Sequence, residues 1–319
     1  MNRIGVLTSG GDAPGMNAAI RAVVRSGLYH GIEMVGIKYG FQGILNNNIE
    51  QMDAESVGSV MQRGGTILQS YICEEIETDN GQDQVIKNLK NAGIDALVVI
   101  GGRDALETAK CLASKKFPCI GIPATIDNDI PGVTDAIGFD TALNTVIDYI
   151  DRIRDTASSH EKTSIIEVAG KDTGNIALYS GLAGGAESIL IPERKEDAEK
   201  IVEQMKNQSG RVKRYSIIIV AEGSVTGIDL NAKLKEEAGI ESRVTVLGHT
   251  QYGGAPTARD RMLASRLGAY AIDLLINHES GKVVKIENNQ PVNDDFDEIF
   301  SQESRIDETM YHLSERLSL

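Results

Sequence analysis

Two aspartates, Asp127 and Asp129, lie two residues apart in the stretch 124–130 (ATIDNDI). The stretch follows an apolar run, residues 119–123, that predicts a buried strand, and it precedes a Pro-Gly pair that ends regular structure. Ligands of open α/β sheets gather where strands leave the sheet, and a carboxylate there can take a proton from a substrate hydroxyl. The stretch alone also fits a simpler interpretation, in which Asp and Asn form turns and cap helices.

A strand, a double glycine and a helix follow one another twice in the sequence. Residues 4–8 predict a buried strand, and residues 9–15 (SGGDAPG) lead from it into apolar residues at helical spacing. Glycines let backbone amides approach a phosphate, and a helix N-terminus favours an anion. This first loop lacks the Gly-Lys-Ser/Thr ending of a Walker loop. The pattern recurs after residues 96–100, with a second loop made of Gly101, Gly102, Arg103 and Asp104. Two such loops at neighbouring strand ends could hold one polyphosphate, although each also fits a plain turn between strand and helix.

Strands and helices alternate along all 319 residues, which predicts an α/β fold with doubly wound parallel sheets. The chain is long enough for two subdomains, and because no linker marks a boundary we expect them to interleave in sequence. Strands are predicted at residues 4–8, 34–37, 96–100, 119–123, 164–168, 188–191, 216–221, 243–247 and 282–287.

Composition excludes several classes of protein. The formal net charge of −14 argues against general binding to nucleic acid or anionic membranes, so any phosphate site must be a local basic patch. The three cysteines have no metal-ligand spacing and indicate reduced thiols of a cytoplasmic protein. The N-terminus begins a strand rather than a signal peptide, and no apolar run approaches the length of a membrane span.

Residues 8–17 (TSGGDAPGMN) together with residues 125–130 (TIDNDI) closely resemble the motifs of bacterial 6-phosphofructokinases. Similarity at residues 248–249 and 260–271 extends the resemblance over essentially the whole chain. It implies two similar doubly wound α/β subdomains of the phosphofructokinase fold. Residues 1–138 plus 251–300 would form the nucleotide side, and residues 139–250 plus 301–319 the sugar-phosphate side. It also implies a tetramer whose sugar-phosphate and effector sites borrow basic residues from a neighbouring subunit.

The resemblance also implies roles for individual residues. The family transfers a phosphoryl group from Mg-ATP to O1 of fructose 6-phosphate, giving fructose 1,6-bisphosphate in glycolysis. Asp127 matches the base that takes the O1 proton, with Thr125 and Asp129 beside it, and Gly11 matches the glycine whose amide faces the transferred group. The sugar-phosphate contacts correspond to Glu222, Arg243 and His249, with Lys162 and Lys171 where the family has arginines.

An effector site is implied as well, which in the family binds ADP as activator or phosphoenolpyruvate as inhibitor. Ala54 stands where the family has an arginine of this site. The matching residues are Arg21, Arg25, Arg154, Glu187 and Lys213, with Arg211 in place of a lysine.

The chain departs from the family at positions that supply charge to the transfer. The family has Gly-Gly-Asp-Gly-Ser where this chain has residues 101–105 (GGRDA). The Asp of that pattern holds magnesium, whereas Arg103 has no lone pair to coordinate a metal, so the metal ligand is unassigned. Asp104 replaces a glycine that leaves room for the α-phosphate. Pyrophosphate-using relatives have an Asp there, accompanied by a Lys where this chain has Ala124, so neither donor pattern is complete.

Three further replacements weaken the expected site. Ile72 replaces an arginine that stabilises the transferring group, Tyr252 replaces an arginine that binds the 6-phosphate, and Ala169 replaces a methionine of the sugar pocket. Two hypotheses follow from these departures. One is an impaired 6-phosphofructokinase; the other is a catalytically silent, effector-binding paralogue that assembles with an active phosphofructokinase. A third and weaker alternative is an altered phosphoryl donor or sugar phosphate.

Overall fold

The computed structural model describes residues 1–160, 162–195, 197–208, 216–303 and 306–317. The chain forms two compact units. The first unit comprises Met1–Thr141 and Tyr252–Ser304, and the second comprises Ala142–Gln251 and Arg305–Leu319. Among the described residues, no helix has both the length and the apolar character needed to cross a lipid bilayer.

The first unit contains an eight-stranded sheet. Its strands are β1 (Arg3–Ser9), β2 (Glu33–Ile37), β3 (Ile49–Met52), β4 (Ala96–Gly101), β5 (Cys119–Thr125), β6 (Ile137–Gly138), β11 (Lys282–Glu287) and β12 (Gln290–Asp295). Its helices are α1 (Met16–Tyr29), α2 (Gly40–Leu45), α3 (Asp79–Asn91), α4 (Arg103–Ser114), α9 (Ala258–Ile276) and α10 (Phe296–Phe300), and Glu74–Glu77 form a 3₁₀ turn.

The strand order β12-β11-β5-β4-β1-β2-β3 creates a switch point in the middle of this sheet, and β6 pairs with β5. The chain moves from β1 to β2 on one side, while β4 and β5 add on the other side. Helices α1 and α9 pack together, whereas α2, α3, α4 and α10 share a separate apolar core. The connections after β1 and after β4 therefore lead to different groups of helices. In open α/β sheets, a crevice lies between the ends of two such strands.

Burial explains why the central strands form. Strand β4 is a continuous apolar run that is buried along its whole length, as expected for a parallel strand with helices on both faces. The two edge pairs, β2–β3 and β11–β12, are antiparallel and partly exposed. All nine strands predicted from the sequence are present, and the structure adds β3, β6 and β12. The predicted α/β fold with mainly parallel sheets is confirmed.

The second unit contains a four-stranded parallel sheet in the order β10-β7-β9-β8. Its strands are β7 (Thr163–Val168), β8 (Ser188–Leu190), β9 (Ile217–Ala221) and β10 (Ser242–Val246). Its helices are α5 (Phe139–His160), which begins three residues before the unit boundary, α6 (Asn175–Ala183), α7 (Asp197–Gln208), α8 (Gly227–Ala238) and α11 (Glu308–Leu317), and Pro192–Arg194 and Gly248–Gln251 form 3₁₀ turns.

A buried polar cluster fixes the last helix, α11, to its own unit. The Tyr311 hydroxyl donates to Asp197 at 2.5 Å, the Lys200 ammonium lies 2.7 Å from the same carboxylate, and the Arg194 guanidinium lies 4.3 Å from the Tyr311 ring centre. Burial acts to raise the pKa of Asp197, but the hydrogen bonds from Lys200 and Tyr311 outweigh it, and the pKa is lowered. The ionised carboxylate therefore stabilises the folded state.

Candidate active site

Three neighbouring strands of the first unit end side by side. The parallel ladder pairs Ser9 of β1 with Gly101 of β4, and Gly101 with Pro123 of β5. Because parallel strands run in the same direction, residues 10–12, 102–104 and 126–129 follow these strands at one edge of the sheet. This edge lies at the switch point between β1 and β4. The structure thus brings Gly11, Gly101, Gly102, Arg103, Asp104, Thr125, Asp127 and Asp129 to one end of the sheet.

Both glycine loops adopt backbone geometry that requires glycine. Gly10 and Gly15 have φ angles of 85° and 107°, in the region that side chains disfavour. A Cβ on Gly101 would lie 2.4 Å from the carbonyl oxygen of Ser9, so the two strands could not approach this closely with another residue. Gly15 and Gly102 are the capping residues of α1 and α4 and have no side chain to cap them. The exposed first turn of α4 is therefore suited to an anion, whereas the first turn of α1 is buried and its Met16 amide donates to the Ala13 carbonyl at 3.2 Å.

The aspartate stretch begins where β5 ends. The Thr125 hydroxyl accepts a hydrogen bond from the Asp127 amide at 3.2 Å, which fixes the turn between them. A Cβ built on Gly102 would lie 3.6 Å from the Thr125 Cβ, so the second glycine loop contacts this turn. The Asp127 and Asp129 residues are both partly exposed. A hydroxyl substrate can therefore reach these carboxylates beside a site suited to phosphate.

Asn128, between the two aspartates, closes the loop that follows them. Its φ of 50° is left-handed, a conformation that Asn tolerates better than most residues. Its side chain donates to the Thr134 carbonyl at 2.9 Å and accepts from the Ala136 amide at 2.8 Å. Asn128 thus joins the two ends of the 128–136 loop, directly beside Asp127, the residue expected to accept a proton.

Arg103 places a positive charge at this edge. It is the first residue of α4, and its Nε donates to Glu107, one turn later, at 3.0 Å. This hydrogen bond raises the pKa of Arg103, and the negative charges of Asp129 and Asp104 act in the same direction. Carboxylate oxygens such as these are the donors that Mg²⁺ prefers, but the nearby guanidinium opposes a cation. The part of the chain that the structure describes contains no cluster of three or more His, Cys, Asp or Glu side chains that could hold a metal ion.

In the second unit, three expected sugar-phosphate residues follow the carboxyl ends of adjacent strands. Lys171 follows β7, Glu222 follows β9 and His249 follows β10, and all three residues are exposed. A Cβ on Gly223 would lie 1.8 Å from the Lys171 carbonyl oxygen, so the loops after β7 and β9 touch through a required glycine. The structure brings these three residues to one edge of the four-stranded sheet.

Two other expected sugar-phosphate residues lie at the opposite edge of the same sheet. Lys162 precedes β7, and its ammonium pairs with Glu241 at 3.2 Å. Arg243 is the second residue of β10 and is aligned with Ser164, the second residue of β7. Lys162 and Arg243 therefore form a separate basic group and do not join the residues at the carboxyl edge.

Residues 3–275 match the phosphofructokinase family. The chain belongs to this family. The ATP-dependent 6-phosphofructokinase of Oceanobacillus iheyensis is 57% identical over 319 residues, which is all of both chains. The enzyme of the same name from Bacillus subtilis is 54% identical, again over the full length of both. The predicted resemblance is confirmed, and these relatives support a 6-phosphofructokinase function.

Solved structures show the same fold. The phosphofructokinase of Saccharomyces cerevisiae superposes with a TM-score of 0.85 at 32% identity, over 94% of this chain and 45% of the yeast chain. This chain thus spans about half the length of that yeast chain. The pyrophosphate-dependent phosphofructokinase of Marinobacter aquaeolei superposes with a TM-score of 0.86 at 21% identity, over 96% of this chain and 86% of the other. At that identity the second match establishes the fold alone.

Two residues that the sequence analysis expected to weaken the site, Tyr252 and Ile72, lie at the surface of the first unit. Tyr252 lies beside the first glycine loop, because a Cβ built on Gly11 would be 3.9 Å from its ring. Ile72 is 74% exposed and lines a cavity of about 840 Å³ together with Tyr39, Tyr71 and Glu74. Both side chains are uncharged, so neither supplies a positive charge to this part of the first unit.

The expected effector residues of the second unit are partly preorganised. The Arg154 guanidinium donates to the carbonyls of Gly184 and Gly185 at 2.6 and 2.7 Å and lies 3.8 Å from Glu187. The Glu187 carboxylate in turn accepts from the Ile217 amide at 2.7 Å. Arg154 and Glu187 thus form one fixed pair at the end of α6. Arg211 and Lys213 lie outside the described residues.

The expected effector residues of the first unit lie on α1. Arg21 is partly buried and Arg25 is exposed. The Arg25 guanidinium donates to the Ala54 carbonyl at 3.3 Å, so it contacts the one effector position at which the sequence analysis expected a missing arginine.

Asp260 supports the site, although the sequence assigned it no role. It is 1% exposed, and its carboxylate accepts from the amides of Gly138 and Thr141 at 3.0 and 2.8 Å and from the Thr141 hydroxyl at 2.5 Å. Burial raises the pKa of Asp260. The sequence signal was Thr257, three residues earlier, whose hydroxyl caps α9 by accepting from the Asp260 amide. Asp260 therefore links the start of α9 to the segment that follows the 128–136 loop.

Proposed function

We propose that this chain transfers a phosphoryl group from Mg-ATP to O1 of fructose 6-phosphate, at a rate much lower than is usual for its family. The observation that supports the reaction is the alignment of Ser9, Gly101 and Pro123, which places Asp127 at the same sheet edge as two glycine-capped helix N-termini. Its close relatives bear the name ATP-dependent 6-phosphofructokinase.

In the proposed reaction, Asp127 takes the proton of the O1 hydroxyl as that oxygen attacks the γ-phosphorus of ATP. The bond between O1 and phosphorus forms, and the bond from the γ-phosphorus to the β,γ-bridging oxygen breaks with its electron pair leaving on ADP. Thr125 holds the turn that orients Asp127. The Gly11 amide and the first-turn amides of α4 stabilise charge on the transferring group. Phosphoryl transfer requires little beyond such positioning and charge stabilisation.

The magnesium that accompanies ATP neutralises charge on the β- and γ-phosphates when bound. The carboxylate of Asp129 would be its protein ligand at this edge. The charge of Arg103 acts against that binding, because Arg103 interacts electrostatically with Asp129. This conflict is the main reason for the low rate that we propose.

Two further replacements lower the proposed rate. Ile72 supplies no positive charge to the transferring group, and Tyr252 supplies none to the 6-phosphate. Loss of one arginine that stabilises the phosphoryl group costs ~10³-fold or more in rate. Losses within one site do not add simply, but each acts in the same direction.

Sugar-phosphate binding is assigned to the second unit. We assign Lys171, Glu222 and His249 to the site of the same subunit, since they share one edge of the sheet. We assign Lys162 and Arg243, at the opposite edge, to a site in a neighbouring subunit of a tetramer. The tetramer is either a homotetramer or a hetero-oligomer with an active paralogue. Arg21, Arg25, Arg154, Glu187, Arg211 and Lys213 would bind ADP or phosphoenolpyruvate as effector.

A coupled assay of the purified chain with fructose 6-phosphate tests the proposed rate. With ATP as donor we expect a turnover number far below the ~1–100 s⁻¹ usual for kinases. GTP and pyrophosphate serve as alternative donors in the same assay, and higher turnover with either would favour the altered-donor alternative. A turnover number within the usual range with ATP would refute the proposed impairment.

A repaired variant tests the cause of the proposed low rate. It carries Arg103→Asp, Asp104→Gly, Ala105→Ser, Ile72→Arg and Tyr252→Arg. These changes restore a metal ligand, space for the α-phosphate and the two lost positive charges, so transfer from ATP should recover by more than the product of the single gains. Adding Asp127→Ser should abolish that gain. If the repaired chain binds both substrates yet stays inactive, the cause lies outside these positions.

A second candidate function is a silent regulatory subunit of the cytoplasmic glycolytic enzyme. The fixed pair of Arg154 and Glu187 supports it, because an effector contact is kept while Arg103, Ile72 and Tyr252 weaken the catalytic edge. In this case the wild-type chain and its Asp127→Ser variant should have the same turnover. Mixing either one with an active phosphofructokinase should alter that enzyme's response to ADP or phosphoenolpyruvate.

A further inference from the structure

Lys285 is a buried charged residue that the proposed reaction does not use. It lies on β11 and is 5% exposed. Its ammonium is 2.5 Å from the Asp294 carboxylate and 2.6 Å from the Glu287 carboxylate. Burial acts to lower the pKa of Lys285, but the hydrogen bonds with Asp294 and Glu287 outweigh it, and the pKa is raised. Since a lysine is rarely buried unless it is paired, this group has a specific structural use.

The third partner of Lys285 lies just beyond the aspartate stretch. Its ammonium donates to the carbonyl of Gly132 at 3.2 Å, across 153 positions of sequence. Gly132 follows Asp129 by three residues and forms the tip of the 128–136 loop, with a φ of 68°. A Cβ on Gly132 would lie 2.8 Å from the Gln302 side chain, so the tip is closely packed from another side.

The backbone alone does not connect the β11–β12 hairpin to this loop. Strand β11 pairs with β5 only through Lys282 with Ile120 and Val283 with Gly121. Strand β5 continues to Thr125, beside β4 and β6. Lys285 lies two residues beyond Val283, the last residue of β11 that pairs with β5. Its side chain contacts Gly132, in the loop that follows β5.

The 128–136 loop is thus held at three levels. Asn128 closes its base, and Ile130 and Val133 are buried in the apolar core with Phe296. Lys285 holds its tip. The first two contacts fix the ends and the body of the loop, whereas the third fixes its position relative to the hairpin.

We propose that Lys285, with Asp294 and Glu287, is a positioning residue that holds the 128–136 loop, which contains Asp129 and directly follows Asp127, in register with the glycine loops. The importance of that position for catalysis rests on the proposed function of Asp127. A displacement of about 1 Å at a reacting group can cost ~10²-fold in rate. A charged side chain suits this use, because a hydrogen bond from an ammonium to a carbonyl is stronger than one between neutral groups.

Two variants separate loop positioning from simple stabilisation of the hairpin. Lys285→Met removes the contact with Gly132 but leaves two carboxylates without their cation. The triple variant Lys285→Met, Asp294→Asn and Glu287→Gln removes that charge imbalance and should recover thermal stability, yet it still lacks a donor for Gly132. Lys282→Met is the matched control, since Lys282 pairs with Asp295 at 3.2 Å in the same hairpin.

Amide hydrogen exchange followed by mass spectrometry reads out the loop without any activity. We expect the amides of residues 127–136 to exchange ~10-fold faster or more in both Lys285 variants, because loss of a tip contact eases local opening. The control should exchange like wild type. In the enzyme assay, kcat should fall in the triple variant while KM for fructose 6-phosphate stays unchanged, because the loop does not bind the sugar phosphate.

The outcomes distinguish this proposal from the proposed function. Unchanged exchange in the triple variant, with its thermal stability recovered, would overturn the positioning role, since Lys285 would then serve the hairpin alone. Faster exchange in the loop supports the positioning role even where wild-type turnover is undetectable, and the missing turnover would then count against the proposed function. Faster exchange with kcat and KM both unchanged would overturn the claim that this position matters for the reaction.

Discussion

The charge of Arg103 should make this chain bind metal-free ATP better, relative to Mg-ATP, than a variant without that charge. The perturbation is Arg103→Met, which keeps most of the side-chain volume and removes the guanidinium. Arg103 interacts electrostatically with Asp129, the carboxylate that would hold the cation. Its ion pair with Glu107 is exposed and contributes only ~0.3–0.5 kcal/mol. That pair is therefore too weak to keep the guanidinium away from bound phosphates.

The size of the effect follows from Coulomb's law. Two unit charges ~4 Å apart interact by about 1 kcal/mol in water and about 4 kcal/mol at an effective dielectric constant of 20. A divalent cation doubles these values, to about 2 and about 8 kcal/mol. The Arg103 side chain is 47% exposed, so the lower value applies. About 2 kcal/mol corresponds to a ~30-fold change in a dissociation constant.

Calorimetric titration of ATP, once in EDTA and once in excess Mg²⁺, measures the effect of the Arg103 charge on metal binding. The ratio of the two dissociation constants should shift ~30-fold toward Mg-ATP in Arg103→Met, while contacts common to both forms of the ligand cancel. Lys110→Met is the control, because Lys110 lies two turns later on α4 and pairs with Asp297 at 2.8 Å. An equal ratio in wild type and Arg103→Met would refute the reasoning, since Arg103 would then not act on the metal site.

Three further predictions address the effector residues, the last helix and the glycine loop. ADP or phosphoenolpyruvate at about 100 times its dissociation constant should add ~2.7 kcal/mol of stability; a thermal shift that persists after Arg25→Ala plus Arg154→Ala would contradict the assignment. Asp197→Asn should lower Tm at pH 7 in scanning calorimetry, because its lowered pKa stabilises the fold above the unfolded-state value. This deficit should shrink below about pH 4, where the carboxyl takes up its proton; a deficit that is constant with pH would contradict the prediction. Gly101→Ala should cost ~1–3 kcal/mol in urea unfolding, because its Cβ would lie 2.4 Å from a carbonyl oxygen of β1. A Cβ on Gly253 would meet no atom within 4 Å, so Gly253→Ala should cost less stability. Equal losses of stability in the two variants would show that the close approach of β1 does not explain the need for glycine at position 101.

The sequence by itself determined the elements whose signal is local. Strands β1, β4 and β5 each contain an apolar run, and such runs are buried where the sheet forms. The double glycines and the aspartate stretch are equally local, because a glycine turn or a carboxylate at a strand end is visible in a few residues. These signals were sufficient to predict the α/β fold and the family.

Only the tertiary structure decided features that depend on distant partners. Strand β12 consists of Gln, Pro, Val, Asn and two Asp residues and forms through its antiparallel pairing with β11, so its own composition does not predict it. Lys162 and Arg243 were grouped with Lys171 by resemblance to the family, but strand direction places them at the opposite edge of the sheet. The sequence around Lys285 gives no sign that this lysine is buried. Only the fold brings Asp294 and Gly132 to its ammonium. Charge and burial at such positions are set by contacts far apart in sequence, which local periodicity does not encode.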